Sequence, residues 1–240
     1  MNIFVGDKRV GKTFISKYLS LYLSDYDKKV ALIDFNNSSD LFDFFKTSNS
    51  YDNSYNDFCD ILKKPLLIYK NIDIYTSKKL NNKDFSRVFE LYKNFKSKYD
   101  YIIFDCSFEN FKKLLINKKN FFQKEEFNIK IHLILDQRVI SKELREIALY
   151  KKFDSIIFNK YIKSRFDDKK LLNMLNLELS DSTKLFYLNY DLLNEQEDLN
   201  NYFKNRELTK FNKELKKELN LYSYQILNFK FNKKSIFNIF

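Results

Sequence analysis

Glycine is nearly missing from this chain: 240 residues contain two, Gly6 and Gly11, five positions apart. Histidine is scarcer still, and the single His132 nearly excludes both metal clusters built on imidazoles and Ser-His-Asp catalysis. Two cysteines, Cys59 and Cys106, are too few for a disulfide framework and fit a reducing compartment, so a cytoplasmic location is expected. No apolar run approaches the roughly 20 residues of a membrane-spanning helix. Strand-like sequence begins at Asn2, so no secretory leader is expected in it. There is no internal repeat and no linker that would divide the chain.

Lys, Asn, Ile, Phe and Tyr are what is abundant. With 26 Phe, 17 Tyr and a 44% hydrophobic share, the chain has ample material for a core and is not a disordered polymer. Its length suits one α/β domain. The same bias is that of an AT-rich genome, which supplies lysine codons freely, so the net charge of +11 points to nucleic acid less strongly than its size suggests.

Both glycines fall in "VGDKRVGKTF", residues 5–14, where Gly6, Gly11, Lys12 and Thr13 match G-x-x-x-x-G-K-[ST]. That spacing lets a loop turn its backbone N–H groups onto an anion, with glycine where the chain adopts left-handed dihedrals or approaches phosphate too closely for a Cβ. The lysine reaches the β/γ-phosphates and the Thr hydroxyl ligates Mg²⁺. The flanks agree: "NIFV" (2–5) is a short apolar run, and "TFISKYLSLYLS" (13–24) sets Phe14, Ile15, Tyr18, Leu19 and Tyr22 on one helical face. Further strand-like runs are "KVALID" (29–34), "PLLIY" (65–69), "YIIFD" (101–105), "KIHLIL" (130–135), "DSIIF" (154–158) and "KLFYL" (184–188), each read as short and buried. Amphipathic stretches such as 83–99 and 141–153 lie between most of them. This alternation predicts one doubly wound α/β domain, a mostly parallel sheet with helices on both faces.

Three other segments fall where phosphate chemistry needs them. Asp105 ends a buried strand and is placed to hold Mg²⁺ or its water shell. The second strand ends in Asp34, with Asn36 just beyond, and Asn159-Lys160 ends a later strand where an amide can read a nucleobase edge. In order and spacing these segments resemble the MinD/ParA family of P-loop ATPases: the loop at residue 6, "LIDFN", "YDYIIFD", "LILDQRVISKELREI", "IIFNKY" and "FYLNYD" before a C-terminal helix. The resemblance spans nearly the whole chain. It implies ATP and Mg²⁺ binding, an ATP-dependent sandwich homodimer, and a role in positioning cellular cargo.

The chain also departs from the family pattern K-G-G-x-G-K-[ST], which here reads Asp7, Lys8, Arg9, Val10, Gly11, Lys12, Thr13. Asp7 stands where the family has the lysine that crosses to the partner's phosphates, and a carboxylate there repels phosphate. Lys8 or Arg9 would have to supply the charge. The second Asp of the family's D-x-D switch, which polarises the attacking water, is Asn36, an amide and a poor proton acceptor. The resemblance with these departures implies ATP·Mg²⁺ binding by Gly6 to Thr13 with Asn159 toward the base. Thr13 and Asp105 hold the metal, Asp34 supports the switch with Asn36, and hydrolysis is weak or absent. The alternative reading is a non-catalytic adaptor that binds a partner protein through the retained fold. A metallocentre-loading relative is disfavoured because no Cys pair is spaced for a shared metal.

At the C-terminus, "RELTKFNKELKKELNLY" (206–222) sets Leu208, Phe211, Leu215 and Leu219 at helical spacing. Residues 1–228 are expected to form the nucleotide-binding domain and 229–240 a basic-aromatic tail. Residues 201–240 carry nine Lys or Arg against three Glu, a net of +6. Such a region suits an anionic membrane surface, nonspecific DNA, or docking of its aromatics on the core, with docking slightly favoured in so Phe-rich a chain.

Overall fold

The computed structural model describes residues 1–36, 40–45, 65, 67–76, 88, 92–116, 128–136, 144, 146, 153–161, 168–175, 177, 179, 181–189, 213–227 and 229. Eight strands form one sheet: β1 (Asn2–Gly6), β2 (Val30–Phe35), β3 (Leu67–Tyr69), β4 (Ile72–Thr76), β5 (Tyr101–Ser107), β6 (Lys130–Asp136), β7 (Ser155–Tyr161) and β8 (Lys184–Asn189). Their order is β3-β4-β2-β5-β1-β6-β7-β8, and every pairing is parallel except β3 with β4. The chain builds outward from β1 in one direction and later in the other. The carboxyl end of β1 is therefore a topological switch point, the place where open α/β sheets bind ligands.

Strand alternation sorts the side chains. Phe4, Val30, Leu32, Ile74, Ile103 and Ile157 pack under α1 (Lys12–Asp25), α2 (Asp40–Phe45) and the C-terminal helix Lys213–Ile226. Ile3, Val5, Ile33, Phe35, Phe104 and Phe158 face the other layer, which includes the helices Phe108–Ile116 and Asp168–Met174. Two layers of helices on one sheet is the expected architecture. The helix α1 departs from its expected one-sided face. It is buried almost all round, polar positions included: Ser16, Lys17 and Ser20 are buried with Ile15 and Leu19. The Lys17 ammonium lies 4.2 Å from the Phe44 ring centre, a cation–π contact that offsets the burial of its charge.

Two corrections concern the sheet edge. β4 has no clear signal in the sequence, because Asn71 and Asp73 interrupt its apolar run. It is nonetheless buried, and Tyr99 Oη donates to Asp73 Oδ2 at 2.5 Å. "PLLIY" is not a buried parallel strand. Residues 67–69 form an antiparallel edge strand with Ile68 64% exposed, joined to β4 by a turn in which Lys70 takes φ 52°.

At the C-terminus Leu215, Leu219 and Tyr222 are buried as the helical spacing requires, while Leu208 and Phe211 lie outside the described residues. Phe229 docks with its ring against Tyr26 (5.3 Å between ring centres), Tyr22 and Tyr101, so any free tail starts beyond it. The rest of that segment, 230–240, lies outside the described residues, as do Cys59 and the polar stretch 48–57.

Candidate functional site

Parallel register lines Asp34 up with Asp105 across β2 and β5, and with Thr76 across β2 and β4. Alternation puts Asp34 and Asp105 on the α1 side of the sheet, with Leu32 and Ile103, while their neighbours Phe35 and Cys106 turn to the other face. The loop after β1 carries Lys12 and Thr13 to the same place. Thr13 Oγ1 donates to Asp105 Oδ2 at 2.7 Å, and Lys12 Nζ stands 3.3 Å from Asp105 Oδ1. Asp34 Oδ1 accepts from both the backbone N–H and the side-chain amide of Asn36, at 3.2 and 2.9 Å. The structure thus gathers the buried Lys12, Asp34, Asn36 and Asp105 with the half-buried Thr13 in one cluster, from segments up to 93 residues apart in sequence.

The two glycines are required sterically, for different reasons. A Cβ at Gly6 would stand 2.7 Å from Val10 Cγ2 and 3.1 Å from the Ile134 carbonyl oxygen, because the loop folds back over the end of β6. Gly11 has φ 85°, and a Cβ there would meet Asn159 Nδ2 at 1.9 Å. Gly11 is also the N-cap of α1, with no side chain capping the helix and no acidic residue in its first turn. The unsatisfied N–H groups and positive dipole end of α1 therefore face the loop, the arrangement that binds phosphate.

The departures from the family loop have structural consequences. Arg9, where the family has glycine, takes φ 66°, a left-handed conformation costly for a residue with a Cβ. Asp7 turns its carboxylate onto its own loop and accepts the Lys8 N–H at 2.7 Å. Lys8 and Arg9 are exposed, and Val10 is buried beneath them.

Burial and the neighbouring Asp105 charge push the Asp34 carboxyl well above the usual carboxylate range, against the Asn36 hydrogen bonds and Lys12. Burial works against the Lys12 charge, but Asp105 and Asp34 outweigh it and hold the ammonium above its ordinary value. Two buried carboxylates thus share one cation. Asp34 Oδ2, Asn36 Oδ1 and Thr76 Oγ1 are buried and make no hydrogen bond among the described residues. A hydroxyl, two carboxylates and an excess of buried negative charge fit Mg²⁺, which takes few protein ligands and completes its shell with phosphate oxygens and water. Among the described residues no three His, Cys, Asp or Glu side chains gather into a cluster able to hold a metal alone.

Asn159 is at the site, and its amide donates to the Val10 carbonyl oxygen at 2.8 Å. Cys106 is wholly buried, and desolvation pushes its thiol far up, so it is a core residue and not a redox thiolate. Thr76 and Asn110 were not anticipated. Thr76 lies on the unanticipated strand. Asn110 is buried and donates through Nδ2 to the Phe35 carbonyl at 2.8 Å, bracing the end of β2, and no spacing in the sequence points to that long-range bond.

No family model matches the chain, and no curated protein matches it by sequence. Solved structures do. The MinD cell division protein of Aquifex aeolicus superposes over 97% of this chain and 99% of its own, with TM-score 0.63 and 16% identity. A plasmid partition protein from Borrelia burgdorferi B31, bound to AMPPNP, gives TM-score 0.64 over 94% of this chain and 99% of its own at 17% identity. The septum site-determining protein MinD of Pyrococcus horikoshii, complexed with Mg-ADP, gives 0.59 over 95% and 98% at 16% identity. The chain has the fold of the MinD and ParA P-loop ATPases along nearly its whole length.

Proposed function

We propose that this protein binds ATP·Mg²⁺ through Gly6–Thr13 and acts in intracellular positioning, partition or assembly as a nucleotide-dependent homodimer, with weak or absent hydrolysis. The observation that carries the binding half is the pair of buried carboxylates, Asp34 and Asp105, that share one lysine at the N-terminus of a helix. Thr13 and Asp105 would hold Mg²⁺, and Lys12 with the loop N–H groups would hold the phosphates. The metal supplies charge neutralisation across the phosphate oxygens. The positioning half is supported by the structural neighbours, whose names speak of cell division, septum siting and plasmid partition and two of which carry a nucleotide.

Slow hydrolysis follows from Asn36. Its amide is spent on Asp34 Oδ1, and an amide oxygen accepts a proton poorly. The same geometry supports the second reading, a nucleotide-binding adaptor without turnover. A fluorescent ATP analogue should bind the wild type with Mg²⁺ and fail to bind Lys12→Ala. Asn36→Asp should raise turnover by about 10²–10⁴, the range of general-base catalysis. A wild type that already turns over as fast as the variant overturns the assignment of Asn36, and equal binding by Lys12→Ala overturns the site.

A further inference from the structure

Asn159 stands two strands away from the strand that feeds the phosphate loop, since β6 lies between β1 and β7. The loop closes that gap by leaning across the end of β6, where Gly6 packs against Ile134. It meets Asn159 on the far side. The side chain is 5% exposed, and its Nδ2 donates to the Val10 oxygen at 2.8 Å. A carbonyl can only accept, so the amide orientation is fixed by that bond.

The local backbone is shaped to aim this side chain. The pairing of β7 with β8 slips between Asn159 and Tyr161, and Lys160 between them takes φ 54°. Such bulges re-aim a side chain at the end of a strand, and a left-handed lysine persists only when its surroundings demand it. The amide is so close to the loop that a Cβ on Gly11 would fall 1.9 Å from Nδ2. Gly11 is in turn the N-cap that presents the first turn of α1, and Lys12 follows it directly.

We propose that Asn159 is a positioning residue for the phosphate cradle. It holds the Val10–Gly11 peptide in the conformation that turns the loop and the α1 N-terminus toward an anion, and so acts on the triphosphate end of the ligand and not on its base. The inference rests on the nucleotide-binding reading above. It also explains why Gly11 tolerates no side chain beyond the demand of its φ.

The test compares two probes on the full-length protein by calorimetry with Mg²⁺: ATP, and inorganic tripolyphosphate, which has no base. Asn159→Ala should weaken both by the same factor, about 3- to 10-fold for one lost hydrogen bond, so that the ratio of the two affinities stays at its wild-type value. Asn159→Leu, of nearly the same size but without the donor and without a charge, should do the same, and it serves if the alanine variant fails to fold. Gly11→Ala should weaken tripolyphosphate less in the Asn159→Ala background than in the wild type, because only the φ penalty remains. Loss of ATP affinity with tripolyphosphate unchanged makes Asn159 a base reader and overturns the proposal, as does no change with either probe. If the wild type binds neither probe, the nucleotide reading itself fails and the clamp falls with it.

Discussion

The two ends of one sheet bury polar groups in opposite ways. At the amino end, His132 is wholly buried, with Nδ1 2.9 Å from Ser155 Oγ and Nε2 3.2 Å from Asn2 Oδ1. The amide oxygen only accepts, so Nε2 carries the proton and Nδ1 accepts from the serine. Nearby, the Met1 amino group donates to the Asn128 oxygen and Asp154 accepts the Ile131 N–H. The imidazole there is neutral and matched to its partners. At the carboxyl end the groups are charged and mismatched: two carboxylates, one lysine, and buried polar atoms without hydrogen bonds among the described residues, Asp34 Oδ2, Asn36 Oδ1 and Thr76 Oγ1 among them. Parallel strands bring both sets together by the same register rule. What differs is that the imidazole at one end finds a partner for each of its nitrogens within the fold, whereas the carboxylates at the other end outnumber the buried cation beside them.

Removing Lys12, the one buried cation of the cluster among the described residues, should break the comparison most severely. Lys12→Ala leaves Asp34 and Asp105 buried together, and losing one partner of a buried ion pair costs about 3–5 kcal/mol. Urea unfolding at neutral pH should show that loss. It should shrink on acidification, because protonated carboxyls need no partner. An unchanged midpoint would mean that the cluster is better hydrated than its burial implies.

Titration should move the two ends in opposite senses. The His132 imidazole is pushed down by burial, then by Lys130 and the Met1 amino group, from 6.5 to about 3. Between those values the unfolded chain binds a proton that the folded chain refuses, so stability is lost as pH falls below 6.5. By pH 5 that amounts to about 2 kcal/mol. The Met1 amino group, pushed by burial to about 5, adds a loss that begins below pH 8, so the difference between wild type and His132→Gln isolates the imidazole part. Asp34 works the other way. Its folded value is raised, so its contribution is fully present below the unfolded carboxylate range and is lost as pH rises through the raised value. Asp34→Asn should remove that alkaline loss and raise the melting temperature at neutral pH. A pH profile unaltered by either variant would make the contrast between the ends meaningless.

The smallest effect concerns the strained loop. Arg9→Gly relieves a left-handed conformation worth about 1–2 kcal/mol, offset by about 0.5–1 kcal/mol of extra glycine entropy in the unfolded chain. The net gain of up to about 1.5 kcal/mol corresponds to a rise of at most about 6 °C in melting temperature for a chain of this size. A lower melting temperature would mean that the Arg9 side chain makes contacts that outweigh its backbone strain.

Much of this was legible in sequence because it is local or periodic. Gly6, Gly11, Lys12 and Thr13 sit at fixed offsets, and Asp34 and Asp105 each close a continuous apolar run, which in parallel strands puts both carboxylates at one sheet end. β4 escaped notice because Asp73 looks like a strand breaker until Tyr99 arrives to donate to it. The exposed edge at Ile68 escaped because an apolar run does not say which of its neighbours will cover it. The place of Asn159 at the end of a strand is legible in the sequence, but its bond to Val10 spans 149 residues and has no local trace.

By itself the sequence determined the αβ alternation, the phosphate loop with its only two glycines, and the identities of the carboxylates, since these follow from spacing, side-chain chemistry and the need of each strand to bury its apolar face. Tertiary structure alone decided how those pieces meet. It set strand order, which brings β2 and β5 side by side and so makes Asp34 and Asp105 compete for Lys12. It also set the lean of the loop across β6 onto Asn159, and the completion of the His132 end by groups from β1 and β7. The physical reason is the same in each case: charge repulsion, desolvation and hydrogen bonding act over a few ångströms in space, and nothing in a linear pattern fixes which distant residues will share them.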